Sequence, residues 1–327
     1  MKHRYKKGYT KRVQKIFTIG VIFINDIKKP QDMNPFSLDA KADLMPYYNI
    51  VRYEACEYSF TTMYLWQQSY EFHYTIKPKF ALIFGSDDKK PFILNPLCEE
   101  KYYEEAMEFA AEVFEFIKCP LYFRAITSPF KEYLEQKYPN KLEMIEHRDG
   151  FDYVYEAEKL RTLSGRKLHG KKNHYNAFIK EYKNRAEYRK LTPENHKDII
   201  DVEEKWAHSK ENDENIVSER LAISKLLSNI SRFPEIKIGG IYIDGKLSAF
   251  AIGDLLNSDT ALVHVEKADD EIRGLYVAIN KWFIENEFPD VTFVNREDDL
   301  GLEGLRNAKL SYKPVKLVKK WEILSKG

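Results

Sequence analysis

The chain runs through one order of segments twice. The first passage is "FALIFGSDDKKPFILNP" (80–96), "EEKYYEEAMEFAAEVFEFI" (99–117), "PLYFRAI" (120–126), "PFKEYLEQKYP" (129–139) and "FDYVYEAE" (151–158). The second is "EIKIGGIYIDGKLSAFAIGDLL" (235–256) with "ALVHVEKA" (261–268), then "DEIRGLYVAINKWFIENE" (270–287), "VTFVN" (291–295), "LGLEGLRNAKL" (300–310) and "VKLVKKWEIL" (315–324). Each passage reads as strands, a long helix, a strand, a short helix and a closing strand. Alternating β-branched and aromatic residues mark the strands. Leu275, Ala278, Ile279, Trp282 and Phe283 recur at helical spacing, with Asp269 or Asp270 placed to cap the start. Met107, Ala110, Ala111 and Phe114 do the same in the first passage. Asp244-Gly245, between two strand-like runs, predicts a two-residue hairpin.

This order implies an α/β (α+β) fold with two domains in tandem, each a mixed sheet flanked by helices. The expected boundaries are a basic N-terminal extension over 1–33, a first domain over 34–158, a basic connecting helix over 159–190 and a second domain over 191–327. A further helical region, about 193–229, should precede the second sheet. The length of 327 residues suits two domains, and a hydrophobic fraction of 43% suffices for their cores.

Lys and Arg number 52 against 51 Asp and Glu, so no global field draws the chain to DNA or to a membrane. Any polyanion must meet a local patch. Cys56, Cys98 and Cys119 lie far apart, and their odd number fits neither a zinc motif nor a disulfide framework. They read as buried or free thiols in a reducing cytoplasm. The eight histidines form no metal-binding spacing, so no metal site is expected. The run Ile16 to Ile24 is too short to span a bilayer. It reads as part of a loosely attached extension, or else as a peripheral anchor at the inner membrane surface.

Three stretches carry groups capable of chemistry. Residues 160–185 hold eight Lys or Arg against one acid, Glu181. Arg166, Lys167, Lys171 and Lys172 lie at their centre and suit an anion or an RNA backbone, or a clamp on carboxylates of the second domain. In "ALVHVEKADDEIRGLYVA" regular alternation would turn His264 and Glu266 to one face and the flanking valines to the other. Such a pair, just before a helix N-terminus, suits proton transfer beside an anion. In "FVNREDDLGLEGLRNAKLSYKP" the polar run Asn295, Arg296, Glu297, Asp298 and Asp299 follows directly on an apolar strand, where α/β sheets bind ligands. Lys309, Tyr312 and Lys313 follow closely.

The strand, "RGLYVA" and the helix after it resemble the acyl-carrier loop of the GNAT acyltransferase fold, R-x-x-G-x-G/A. Arg273 and Ala278 match, and Tyr276 stands where the central glycine would be. From about residue 34 onward the chain resembles the bacterial family that shares the C-terminal domain of phosphatidylglycerol lysyltransferase. The stretches that carry this are "YSFTTMYLW" (58–66), "LSGRKLHGKKNHYNAF" (163–178) and "NREDDLGLEGLRNAKLSYKP" (295–314). That family is similar to the Fem-type aminoacyltransferases, which also have two GNAT-like domains. The resemblance covers their soluble catalytic part, and no counterpart of a multi-pass membrane domain is expected here.

The resemblance implies an acyl or aminoacyl transferase, with aminoacyl-tRNA as donor and a lipid, peptide or small molecule as acceptor. A coenzyme A-dependent N-acyltransferase using acyl-CoA is the alternative enzyme, and an RNA- or anion-binding protein is the alternative without catalysis. No other cofactor is implied. His264, Glu266, Asp298 and Asp299 are the catalytic candidates. Arg273, Gly274, Tyr276 and Ala278 would hold the donor's anionic part, together with Asn295, Arg296, Lys309 and Tyr312. Arg166, Lys167, Lys171 and Lys172 would meet tRNA.

Overall fold

A computed structural model of the protein describes residues 33–208 and 214–326. The extension over 1–32 lies outside the described residues. Fourteen strands form two seven-stranded sheets among the described residues. They are β1 (Asn34–Pro35), β2 (His73–Lys77), β3 (Phe80–Asp87), β4 (Lys90–Ile93), β5 (Tyr122–Ile126), β6 (Leu142–Glu146), β7 (Asp152–Glu156), β8 (Ala186–Lys190), β9 (Lys237–Ile243), β10 (Lys246–Leu255), β11 (Thr260–Ala268), β12 (Phe293–Asn295), β13 (Lys316–Val318) and β14 (Trp321–Ser325). The helices are α1 (Ala40–Tyr48), α2 (Phe60–Tyr70), α3 (Tyr103–Phe116), α4 (Phe130–Lys137), α5 (Ala157–Thr162), α6 (His169–Tyr182), α7 (His196–His208), α8 (Glu214–Ser228), α9 (Leu275–Glu287) and α10 (Glu303–Ser311).

The first sheet has the order β1-β2-β3-β4-β5-β14-β6 and the second β13-β7-β12-β11-β10-β9-β8. Neighbours run antiparallel except β4 with β5 and β11 with β12, which are parallel. Each parallel pair is joined in sequence by a long helix, α3 or α9, as a parallel connection demands. The β9–β10 hairpin turns on Asp244 and Gly245, both at positive φ (51° and 80°), the backbone that a tight primed turn requires.

The expected division at residue 158 does not separate the sheets. The strand "DYVYE", read as the close of the first domain, is β7 and lies inside the second sheet between β13 and β12. The strand "WEILS", read as the close of the second domain, is β14 and lies inside the first sheet between β5 and β6. The two halves therefore exchange their closing strands. The connecting segment is also not helical throughout, because its last five residues form edge strand β8.

Three apolar cores among the described residues set the layering. Phe80, Leu82 and Phe84 of β3 face Met107, Ala110 and Phe114 of α3, with Ile323 of β14 among them. Ala81 and Ile83 face the other way, into a core between the sheets that includes Phe60 and Met63 of α2, Ile223 and Leu226 of α8, and Ile252 and Val265. Beyond the second sheet, Ala251, Val263 and Val294 pack on Ala278, Ile279 and Phe283 of α9. The basic helix α6 lies on this outer face and not between the two sheets. Its stripe, Tyr175 and Phe178, packs on Trp282 of α9, and Trp282 Nε1 donates to the Tyr175 hydroxyl at 3.0 Å. No helix among the described residues is long and apolar enough to cross a membrane.

Candidate active site

Strands β11 and β12 pair through only three residues each, ending at Leu262 opposite Asn295. Past that point they part, and charged side chains occupy the opening on both faces of the sheet.

A β-bulge distributes them. Ile252 pairs with Val265 and Gly253 with Val263, so His264 is the extra residue. Gly253 permits the tight passage, since a Cβ there would come within 2.5 Å of the Leu262 carbonyl oxygen. Regular alternation placed His264 and Glu266 on one face, and the bulge overturns this. Val263 packs in the outer core and Val265 in the inner one. His264 meets groups of the inner side, whereas Glu266 reaches α9 on the outer side.

On the inner side, His264 Nδ1 lies 3.0 Å from Glu297 Oε1, and Nε2 lies 3.2 Å from Asp254 Oδ1. The second contact is close enough for charge pairing, although neither atom is aligned for a hydrogen bond. The Thr61 hydroxyl of α2 donates to Asp254 at 2.6 Å. Burial would push the imidazole pKa down, but Asp254 and Glu297 outweigh it and raise it to about 10. A histidine that keeps its proton at neutral pH is no general base. It holds Glu297 in place instead.

Deeper on this side, Lys320 is almost fully buried, with Nζ 2.6 Å from Asp152 and 2.6 Å from Glu57. Asp152 also accepts from the Cys56 amide at 2.7 Å and from Asn295 Nδ2 at 2.9 Å. Asn295 thus acts as a brace between the strand and the 54–57 loop, to which it also donates through the Glu54 carbonyl at 2.9 Å. Potential ligand atoms of Cys56, Glu57 and Asp152 converge, but the Lys320 ammonium is the cation they surround. Burial pushes the Cys56 thiol well up, with Asp152 and Glu57 adding to it. Asp298 lies half-buried beside this cluster. Burial pushes its carboxyl up to about 7, and Lys320 and Lys309 only partly oppose this.

On the outer side, Arg296 Nη2 donates to Glu266 Oε1 at 2.9 Å, and Asn280 Nδ2 of α9 donates to Glu266 Oε2 at 3.0 Å. The guanidinium lies over Tyr312 (4.7 Å) and Tyr155 (5.7 Å). Lys171 of α6 also reaches this group, 4.1 Å from the Tyr312 ring centre. Burial, then Arg296, lowers its pKa to about 8, with Glu266 opposing. Lys309 Nζ donates to the Arg296 and Asp298 carbonyls and fastens the loop between them.

The remaining candidates have structural roles or lie apart. Asp299 is fully buried and accepts from Arg306 (2.7 and 2.8 Å), the Tyr153 hydroxyl (2.5 Å) and the Gly301 amide (3.0 Å). Burial would raise its pKa, but these bonds hold it below the ordinary value, so Asp299 is an anchor and not a proton carrier. Arg273 is exposed, outside the cluster. Gly274, at φ 86°, is pressed against α6, where a Cβ would meet the His174 carbonyl oxygen at 2.2 Å. Its missing side chain is used by helix packing rather than by a phosphate. The Tyr276 hydroxyl accepts from Trp206 Nε1 at 2.8 Å, and Ala278 is buried in the outer core. Helix α9 begins at Leu275, so Asp269 and Asp270 do not cap it. Arg166, Lys167 and Lys172 are exposed, and Glu297 and Asp299 pair with other cations.

Residues 48–323 match the family model described as "Phosphatidylglycerol lysyltransferase, C-terminal". An uncharacterized protein of Mycoplasmoides gallisepticum is 25% identical over 290 residues, covering 81% of this chain and 90% of the other. A crystal structure of a conserved protein of unknown function from Bacteroides thetaiotaomicron superposes with a TM-score of 0.84 at 28% identity, covering 90% of this chain and 99% of that one. The structure of L-PGS from Bacillus licheniformis superposes at 0.64 and 15% identity, covering 91% and 95%. That of FemX superposes at 0.60 and 8%, covering 90% and 97%. The fold is thus that of L-PGS and FemX, and the match over nearly the whole length means that the chain belongs to the phosphatidylglycerol lysyltransferase C-terminal family.

Proposed function

We propose that the protein is an aminoacyltransferase that moves an amino acid from aminoacyl-tRNA to an amine or hydroxyl of a lipid or peptide acceptor. Membership of a family described by lysyl transfer to phosphatidylglycerol carries this reading. The parted strands supply a place for the reaction, and Asp298 a group suited to it.

The donor is an ester between an amino acid and a ribose hydroxyl. The acceptor nitrogen or oxygen attacks the ester carbonyl, a new C–N or C–O bond forms, and the bond to the ribose oxygen breaks. One proton must leave the acceptor and one must reach the ribose oxygen. Asp298, with a pKa of about 7, is ionised often enough to take the first and acidic enough to return it. Glu266 is held by Arg296 and Asn280, which suits it to positioning rather than proton transfer. The coenzyme A alternative needs the start of α9 to take a pyrophosphate, where Gly274 is instead packed on His174 and Tyr276 replaces a glycine.

The test is a transfer assay. Purified protein is mixed with tRNA charged with labelled amino acids, and with lipid extract or peptide acceptors. Label should leave tRNA and appear in one acceptor class at the same rate. Label that stays on tRNA while acyl-CoA is consumed would instead establish the N-acyltransferase. Tight tRNA binding without turnover of either donor would establish a binding protein.

A further inference from the structure

Glu203 of α7 is a buried acid with nothing bound to it. It is 1% exposed, and both carboxyl oxygens are out of contact with solvent and without a hydrogen-bond partner. The charges acting on it are Lys267 of β11 and Glu219 and Arg220 of α8. Arg220 is held by Glu204 at 3.0 Å. Lys267 is also buried, and its ammonium is already engaged twice. Nζ lies 2.7 Å from Glu219 and 3.2 Å from the ring centre of Trp206 of α7. Strand β10, which also underlies α7, offers apolar Phe250 and Ile252, and its Asp254 is taken by Thr61 and His264. Two carboxyl groups on two helices therefore compete for one ammonium on the strand beneath them, and Glu219 holds it.

A carboxylate cannot stay ionised in the interior with no donor to either oxygen. The arrangement seen suits a neutral Glu203, and an ionised one needs Lys267. We propose that Glu203 is a proton-operated switch: on losing its proton to solvent it draws Lys267 away from Glu219 and takes the ammonium off the Trp206 ring. Burial pushes the Glu203 carboxyl up to about 7, with Lys267 opposing and Glu219 adding to it, so the exchange falls in the neutral range. The consequence reaches α9. Trp206 Nε1 donates to the Tyr276 hydroxyl in the first turn of that helix at 2.8 Å, and the neighbouring Lys205 holds Asp269, just before the helix, at 2.5 Å. The switch thus acts on the turn between β11 and α9, beside the parted strands, and gives the site a pH response that the proposed reaction does not itself require.

The Trp206 indole is the reporter. The chain has four tryptophans, so the full-length protein gives few indole N–H signals in a proton–nitrogen NMR spectrum, and Trp206→Phe identifies the one that matters. In the parent that signal should move along a single titration curve with its midpoint near 7. Glu203→Gln has the same shape and no charge to lose, so it should keep the fold and hold the signal at its low-pH position throughout. Glu219→Gln removes the competing carboxylate, leaves Lys267 to Glu203, and should lower the midpoint by roughly one pH unit. Histidines titrate in the same range, but they do so equally in Glu203→Gln, and a response that they cause would persist there. A Trp206 signal that does not move with pH, a titration that survives in Glu203→Gln, or a midpoint that stays or rises in Glu219→Gln overturns the proposal. No donor or acceptor enters the measurement, so its outcome stands apart from the reaction.

Discussion

His264 and Glu297 join two strands at the point where those strands stop pairing. The imidazole Nδ1 and the carboxylate are 3.0 Å apart, and Asp254 closes on the other ring nitrogen at 3.2 Å. Removing the ring would leave two carboxylates facing each other with little solvent. His264→Ala should therefore destabilise the protein by about 3–5 kcal/mol. The pH dependence has a definite sign. The folded pKa is raised to about 10, above the ordinary 6.5, so the stabilisation is complete below 6.5 and is lost as pH climbs toward 10. Urea titrations from pH 6 to 10 should show this fall in the parent, and a flatter profile in the variant.

Lys320 ties the sheets together chemically as well as topologically. It enters from just before β14 of the first sheet and meets Asp152 of β7 in the second at 2.6 Å. Lys320→Met alone strands Asp152 and Glu57, and should cost several kcal/mol, on the order of 3–5. Adding Asp152→Asn should recover part of that loss. A double-mutant cycle with no coupling, against the 0.5–3 kcal/mol or so usual for contacting charges, would show that the pair is not a unit.

The exchanged strands predict how the chain can be cut. A fragment over 34–158 lacks β14, the strand between β5 and β6, and so lacks Ile323 in its core. A fragment over 159–327 lacks β7, the strand between β13 and β12, together with Tyr153 and Tyr155. Neither fragment should fold alone, and mixing the two should restore dispersed NMR spectra. A well-dispersed spectrum from either fragment by itself would contradict the topology.

What could be read in advance was local. Asp244-Gly245 announced its hairpin because only certain residues tolerate positive φ, and α9 announced itself through its 3.6-residue repeat. The exchange was not readable, since the alternation of "DYVYE" shows that it is a strand but not which strands will flank it. The bulge at His264 was not readable either. Period-two reasoning assumes a regular ladder, and one extra residue reverses every face after it. Lys320 and Asn280 were missed for a different reason. Lys320 stands in "VKLVKKWEIL" among lysines that do reach solvent, and Asn280 interrupts an apolar helix face, a signal of buried hydrogen bonding that points to no particular partner.

Asp298 should control the rate of transfer. Its carboxyl, pushed up to about 7 by burial, is the base only when ionised, so activity should rise with pH through a limb near 7. Asp298→Asn should lower kcat by about a hundredfold or more and remove that limb, with the melting temperature little changed. A limb that persists in the variant would assign the ionisation to another group.

The exposed basic residues at the chain's midpoint should act on tRNA through charge alone. Arg166, Lys167 and Lys172 project to solvent, so replacing all three with Gln breaks no buried contact. Helix propensity is nearly kept, and each change should cost under about 0.5 kcal/mol. Each phosphate that a lysine or arginine neutralises releases about 0.7–0.9 of a counterion, so three lost contacts should flatten the slope of log affinity against log salt by about two to three. The loss should be greatest in low salt and nearly absent in high salt. Equal salt slopes in parent and triple variant would show that these side chains never meet tRNA. A large fall in melting temperature would show that they brace the fold instead.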